Sequence, residues 1–145
     1  MIEIGFTGTR QGMTIPQHAA LVKIMLSYRK MTEASFMWHH GLCIGSDEQC
    51  HNLATIFDFY IFGHPPINED LVAELTGFRG LAPAKGYIAR NHTIVDSTEI
   101  LIATPHELKE QVRSGTWATI RYAKKRGKRV TIINPYGNTY VYSDL

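Results

Sequence analysis

Ile100, Leu101, Ile102 and Ala103 follow one another without a break in the segment EILIATP. A strand with no polar face must be covered on both sides, which is the situation of a parallel sheet sandwiched between helices. Parallel strands need long crossovers, usually helical, so the rest of the chain must alternate between the two patterns. It does. Ile2, Ile4 and Phe6 alternate with Glu3 and Gly5 and run into TGTR, a strand leading to a loop. Thr14 can cap the next helix, with Pro16 in its first turn, where a missing N–H does no harm. Along that helix Ile15, Ala19, Val22 and Leu26 recur at helical spacing, while Gln17, Lys23, Ser27 and Lys30 fall opposite.

The alternation continues to the end of the chain. ASFMW reads as a second strand; Gly41 and Gly45 then bracket a loop, and Ser46 or Asp47 begins a helix. The apolar stripe of this helix is Cys50, Leu53, Ala54 and Phe57. FYIF is a third strand that stops at GHPP, because prolines cannot continue a central ladder. Residues 64–82 are irregular, an insertion or lid with a helical turn in EDLVAEL. AKGYIARNHTIVDS is helical, with Ala84, Ile88, Asn91 and Val95 on its inward stripe. GTWATIRYAKKRG is a helix ending at Gly127, and RVTII is the fifth strand. The tail, 135–145, carries three tyrosines and suits an edge strand or a subunit contact. The expected architecture is α/β: one domain over 1–145, a doubly wound parallel sheet of about five strands with helices on both faces.

Composition sets outer bounds. The 145 residues are 44% hydrophobic and 19% charged with a formal net charge of +2, the profile of an ordinary globule. That charge alone demands neither nucleic acid nor membrane, and no apolar run nears the roughly 20 residues of a membrane span. Cys43 and Cys50 are too few for a disulfide framework, so a reduced, cytoplasmic setting is expected. The seven histidines are scattered, and His39–His40 lacks the spacing that puts two imidazoles on one helical face. Neither a metal nor a cofactor is expected.

In doubly wound sheets ligands bind beyond the carboxyl ends of the strands, where strand order reverses. The loops there are TGTR, HHGLCIGSD, GHPP and TPHELKEQVRSGT. Gly8, Thr9 and Arg10 offer close backbone approach, a hydroxyl and a planar fork for phosphate, or simply a strand-to-helix turn. Gly45 and Asp47 sit where a small ligand could be wrapped; Asp47 either caps the helix or accepts from ribose hydroxyls. Asn91 either ties down loops or reaches the cleft, and Arg90 either contacts an anion at the sheet's end or pairs structurally with Asp96 or a glutamate. Ser114, Gly115 and Thr116 open a helix whose first N–H groups lack intrahelical partners, the requirement of a phosphate cradle. The lysine and glycine spacing of a P-loop are missing. The basic cluster 124–129 lies at the opposite end, where cations complement a helix C-terminus. A solvated face is the simpler reading there.

Together these pieces resemble the SLOG superfamily, the Rossmann-like group that contains DNA-processing protein A and the Lonely Guy enzymes. GLCIGSDEQCHNLA is similar to the G-x-A-x-G-I-D-x-x-A-H-x-x-A segment of the former, with Gly41, Gly45, Asp47, His51 and Ala54 at matching places. RSGTWATI resembles the G-G-x-G-T-x-x-E motif of the latter, and Arg90 the arginine on the preceding helix. Small stand-alone bacterial or phage members look most alike.

The departure is informative. Thr119 stands where the related phosphoribohydrolases have their catalytic glutamate, and a threonine cannot supply that carboxylate. The resemblance therefore implies a non-catalytic binder that senses or sequesters a nucleotide-derived signal, including the cyclic ADP-ribose type used in phage–host defence. It also implies a homo-oligomer. Hydrolysis by a displaced acid such as Glu48 or Glu99, and single-stranded DNA binding, remain as alternatives.

Overall fold

The computed structural model describes residues 1–143. Eleven elements follow one another along the described residues: β1 (Ile2–Gly8), α1 (Ile15–Arg29), β2 (Phe36–His40), α2 (Ser46–Ile56), β3 (Tyr60–Gly63), β4 (Gly80–Leu81), α3 (Tyr87–Asp96), β5 (Ile100–Thr104), α4 (Gly115–Lys125), β6 (Arg129–Ile133) and β7 (Thr139–Tyr142). They form one sheet of order β4-β3-β2-β1-β5-β6-β7. All neighbours are parallel except β6 and β7, which run antiparallel. The sheet is thus doubly wound, as the alternation requires, but has seven strands rather than about five. Both additions are edges: the tail turns back at Asn134–Asn138 to make β7, and the irregular segment ends in the two-residue β4.

The two faces bury separate cores. One packs α1 and α2 residues, including Leu21, Met25, Cys50 and Ala54, against Ile4, Phe6 and Trp38 of the sheet. The other packs Val95 of α3 and Trp117, Ile120 and Ala123 of α4 against Leu101, Ala103, Val130 and Ile132. Burying both faces of β5 explains its unbroken apolar run.

Two helices face differently from the sequence expectation. In α1, Ile15 is 87% exposed and Leu26 is exposed, whereas Gln17, Leu21 and Met25 are buried. Gln17 is drawn inward because its amide nitrogen donates to the carbonyls of Pro105 (2.8 Å) and Ile133 (3.0 Å), outweighing simple apolar patterning. The Thr14 hydroxyl and the Gln17 side chain complete a capping box. In α3, Val95 is buried as its spacing implies, but Ala84 lies before the helix and Ile88 is exposed; Arg90 and Ile94 point inward instead. That helix also begins three residues after Ala84, with Gly86 at its N-cap.

Within residues 64–82, EDLVAEL makes one hydrogen-bonded turn, the Val72 amide donating to the Glu69 carbonyl at 3.3 Å, and no helix. The segment is strapped to the β2–α2 loop: the Ile44 amide donates to Leu71, and the Ala73 amide to Leu42. Histidines fasten it further. The Leu42 amide donates to His40 Nδ1 (3.0 Å), so His40 Nε2 carries the proton and donates to His51 Nδ1 (2.9 Å). His51 Nε2 then donates to the Thr76 carbonyl at 2.7 Å. Phe78 packs against both imidazoles.

Candidate functional site

Strand order reverses between β1 and β5, and the crevice above their carboxyl ends is a cleft of about 470 Å³. Three loops meet there. From β1 come Gly8, Thr9 and Arg10; from the β2–α2 connection come Gly41, Cys43 and Asp47; from the β5–α4 connection come His106, Glu107 and Arg113. Arg90 and Asn91 of α3 close one side, and Ser114, Gly115 and Thr116 at the start of α4 close another. Every ligand-binding residue expected from the sequence lines this cleft except Gly45.

Gly45 instead lets the chain pack. It adopts φ +87°, and a Cβ there would overlap the Arg10 backbone. The contact sets α2 against β1, where the Ser46 amide (3.1 Å) and hydroxyl (2.7 Å) both donate to the Thr9 carbonyl. Gly8 serves the same approach, since a Cβ would run into Thr104 and Ser46.

The charged groups of the cleft divide into committed and free. Arg90 is buried and committed: Nη1 donates to the carbonyls of Gly41 (2.6 Å) and His64 (3.3 Å), and Nε to Asn91 Oδ1 (2.7 Å). Its partners are carbonyls and Asn91 rather than the Asp96 or glutamate of the structural reading. Asp47 is committed at one oxygen. It neither caps α2 nor faces outward; its Oδ2 accepts from the amides of Gly41 (3.1 Å) and Cys43 (3.2 Å). Burial pushes its carboxyl up to about 6, against the opposing pull of Arg90, those two amides and Arg10. Burial, reinforced by Asp47, also raises the Cys43 thiol, which makes it a poor nucleophile at neutral pH.

The free groups point to anions. Arg10 lies at the mouth, its guanidinium 4.7 Å from the centre of the Tyr87 ring, with no acidic partner among the described residues. Arg113 likewise has none. At the start of α4 the Ser114 hydroxyl accepts from the Trp117 amide at 3.2 Å, which satisfies one of the orphan donors. The Gly115 and Thr116 amides meet no protein acceptor among the described residues. Nothing lies within 4 Å of where a Gly115 Cβ would be, so the cradle is open.

Thr119 does not face this space. It is buried, and its hydroxyl donates back to the Gly115 carbonyl at 2.8 Å. Glu48 and Glu99 are also absent from the cleft wall; Glu99 sits at the far end of the sheet, where its amide donates to Glu3. The carboxylates present are Asp47 and Glu107. Glu107 went unremarked in the sequence, although it lies in TPHELKEQVRSGT, a loop already placed at this end.

The basic cluster engages its own surroundings. Lys128 donates to the Thr98 carbonyl (2.8 Å), Arg126 pairs with Asp96 (3.3 Å), and Lys124 lies 3.7 Å from the centre of the Tyr142 ring. Among the described residues no group of three or more His, Cys, Asp or Glu side chains is placed to hold a metal. No helix is long and apolar enough to cross a membrane.

No protein-family model matches the chain, and no curated protein matches by sequence. Solved structures do match. The molybdenum cofactor binding protein of the phototrophic bacterium Rippkaea orientalis superposes with a TM-score of 0.69 at 21% identity, over 92% of this chain and 76% of that one. The Moco carrier protein of Chlamydomonas reinhardtii gives 0.66 at 16% identity, over 90% and 75% of the two chains. DNA processing protein A of Helicobacter pylori, described with a single-stranded DNA binding mode, gives 0.62 at 13% identity, over 90% of this chain and 64% of that one. At these identities the likeness is one of fold: the chain has the Rossmann-type α/β architecture shared by these ligand-binding proteins.

Proposed function

We propose that the cleft binds a nucleotide or nucleotide-derived molecule without transforming it. The observation that carries this reading is the pair of unpartnered amides, Gly115 and Thr116, opening α4 into the same crevice that Arg10 and Arg113 border. Donors and partial positive charge at a helix start suit a phosphate, and the two free guanidiniums add charge-assisted bonds. Binding without turnover is favoured by Thr119, whose hydroxyl is turned onto its own helix. Structural neighbours named for cofactor carriage and single-stranded DNA binding are in keeping with a ligand-binding crevice.

A thermal-shift screen of nucleotides, with calorimetry on the hits, tests the reading. Cyclic ADP-ribose-type compounds belong in that screen, as the narrower form of the proposal. Binding that survives Gly115→Glu and Arg113→Ala in combination would overturn it. The hydrolytic alternative now rests on Glu107, the free carboxylate of the cleft. Freed base after incubation with nucleoside monophosphates, abolished in Glu107→Gln, would establish that alternative. Assembly into a homo-oligomer through the β7 tail is a separate proposal, read out by light scattering.

A further inference from the structure

We propose that Arg121 of α4, which stands outside the cleft wall, is a positioning residue for it: its guanidinium holds the β5–α4 loop in the pose that keeps Arg113 on that wall. The inference rests on the anion-binding reading of the cleft. Residues 106–113 bring His106, Glu107 and Arg113 to the cleft, yet little fixes them there. The flanks are pinned: the Pro105 carbonyl accepts from Gln17 at 2.8 Å, and Ser114 caps α4. Between these pins no backbone group bonds to another backbone group among the described residues. Every residue there but Glu107 is exposed, Val112 to 87%, so apolar burial does not hold the segment either. The pose even carries a cost, because one Glu107 carboxylate oxygen is buried without a partner.

Arg121 supplies what the segment lacks. Its Nη1 donates to Glu110 Oε2 (2.8 Å) and the Gln111 carbonyl (3.2 Å), and its Nη2 to the Val112 carbonyl (3.2 Å). The other side-chain bond of the segment, from Gln111 to the Lys109 carbonyl, is internal to it. Acceptors on three successive residues suit a planar fork and not the single ammonium of a lysine. The Glu110 pair is half exposed and counts for little by itself. The two carbonyl bonds set the geometry, since they orient the peptides just before Arg113. Arg121 lies six residues beyond Gly115, about 9 Å down the helix axis. The loop is thus stitched to the same helix whose first amides open into the cleft. Without the stitch Arg113 swings free, while the amides stay where they are.

Calorimetry with inorganic phosphate on the full chain tests the assignment through a double-mutant cycle. Arg121→Ala is expected to weaken phosphate about fivefold in the parent and not at all in an Arg113→Ala background. Arg121→Lys keeps the charge without the fork and should weaken it nearly as much. Glu110→Gln spares both carbonyl bonds and should stay within about twofold of the parent. Trypsin cleavage after Lys109 reads the loop pose without any ligand, and should quicken at least about threefold in Arg121→Ala. Unfolding midpoints are expected to hold, the Arg121 side chain being 38% exposed. Should Arg121→Ala fail to fold, Arg121→Lys carries the same cycle. Additive losses, full rescue by lysine or unchanged cleavage would overturn the proposal. If phosphate binding falls in Gly115→Glu but not in Arg121→Ala, the cleft reading stands and this inference fails. Phosphate that ignores Gly115→Glu, or does not bind, removes both.

Discussion

The guanidinium of Arg90 donates to the carbonyl oxygen of Gly41 at 2.6 Å, joining α3 to the loop that follows β2. The fit leaves no room for a side chain at Gly41, where a Cβ would overlap Arg90. Gly41→Ala should therefore cost about 1–3 kcal/mol, the usual penalty of overpacking, measured by urea unfolding. Arg90→Ala is a poor probe of ligand binding for the same reason: it strips partners from buried carbonyls.

Gly115→Glu is the sharper probe of the cleft. The position has open space around it, so the substitution is expected to leave the unfolding midpoint nearly unchanged. It puts a carboxylate at the start of α4, where like charge opposes an anion, and should weaken inorganic phosphate or nucleotide binding at least about tenfold. Calorimetry at two salt concentrations checks it. Undiminished affinity would remove α4 from the site.

Asp47 makes stability depend on pH in an unusual direction. Burial raises its carboxyl from the ordinary 3.8 to about 6 in the folded protein, so the fold holds a proton that the unfolded chain releases. Its contribution is fully present below the unfolded value and is lost as pH rises through about 6, a change of roughly 3 kcal/mol. His64 acts the other way. Burial first, then the neighbouring charges, lower it from 6.5 to about 3, so its contribution is present above 6.5 and lost as pH falls. Asp47→Asn removes only the compensating half. The variant should lose more stability than the parent between pH 6.5 and 4, as followed by chemical denaturation across that range.

Gln17 joins the two halves of the sheet's ligand-bearing end. Its amide nitrogen reaches the carbonyls of Pro105 and Ile133, which follow β5 and close β6. Gln17→Leu keeps the volume but strands both acceptors, and should cost about 2–4 kcal/mol in urea unfolding. A change below about 0.5 kcal/mol would mean that water replaces the amide.

Elements whose pattern follows from burial alone were readable from residue order. The run Ile100–Ala103, the Cys50–Leu53–Ala54 stripe and the Trp117–Ile120–Ala123 stripe all occupy the positions their spacing implies. Long-range polar bonds were not readable. Gln17 and Arg90 point inward because of carbonyls that lie 88 and 49 residues away in sequence, which no local periodicity encodes. The cleft's members were legible as loops at one end of a wound sheet; which charges stay free was not. The two amides that hold Asp47 Oδ2 could not be read from residue order, and Glu107 drew no notice. Availability depends on who else is near, and only the folded chain reveals that.

The line from the Leu42 amide through His40 and His51 to the Thr76 carbonyl begins in a group that can only give a proton and ends in one that can only receive. Each imidazole is thereby held in a single tautomer, and the connection runs in one direction. A clasp made this way contains no ion, so added electrolyte does not loosen it. An extra proton on the acceptor nitrogen of a ring leaves N–H facing N–H at that link, so the clasp parts where the proton lands.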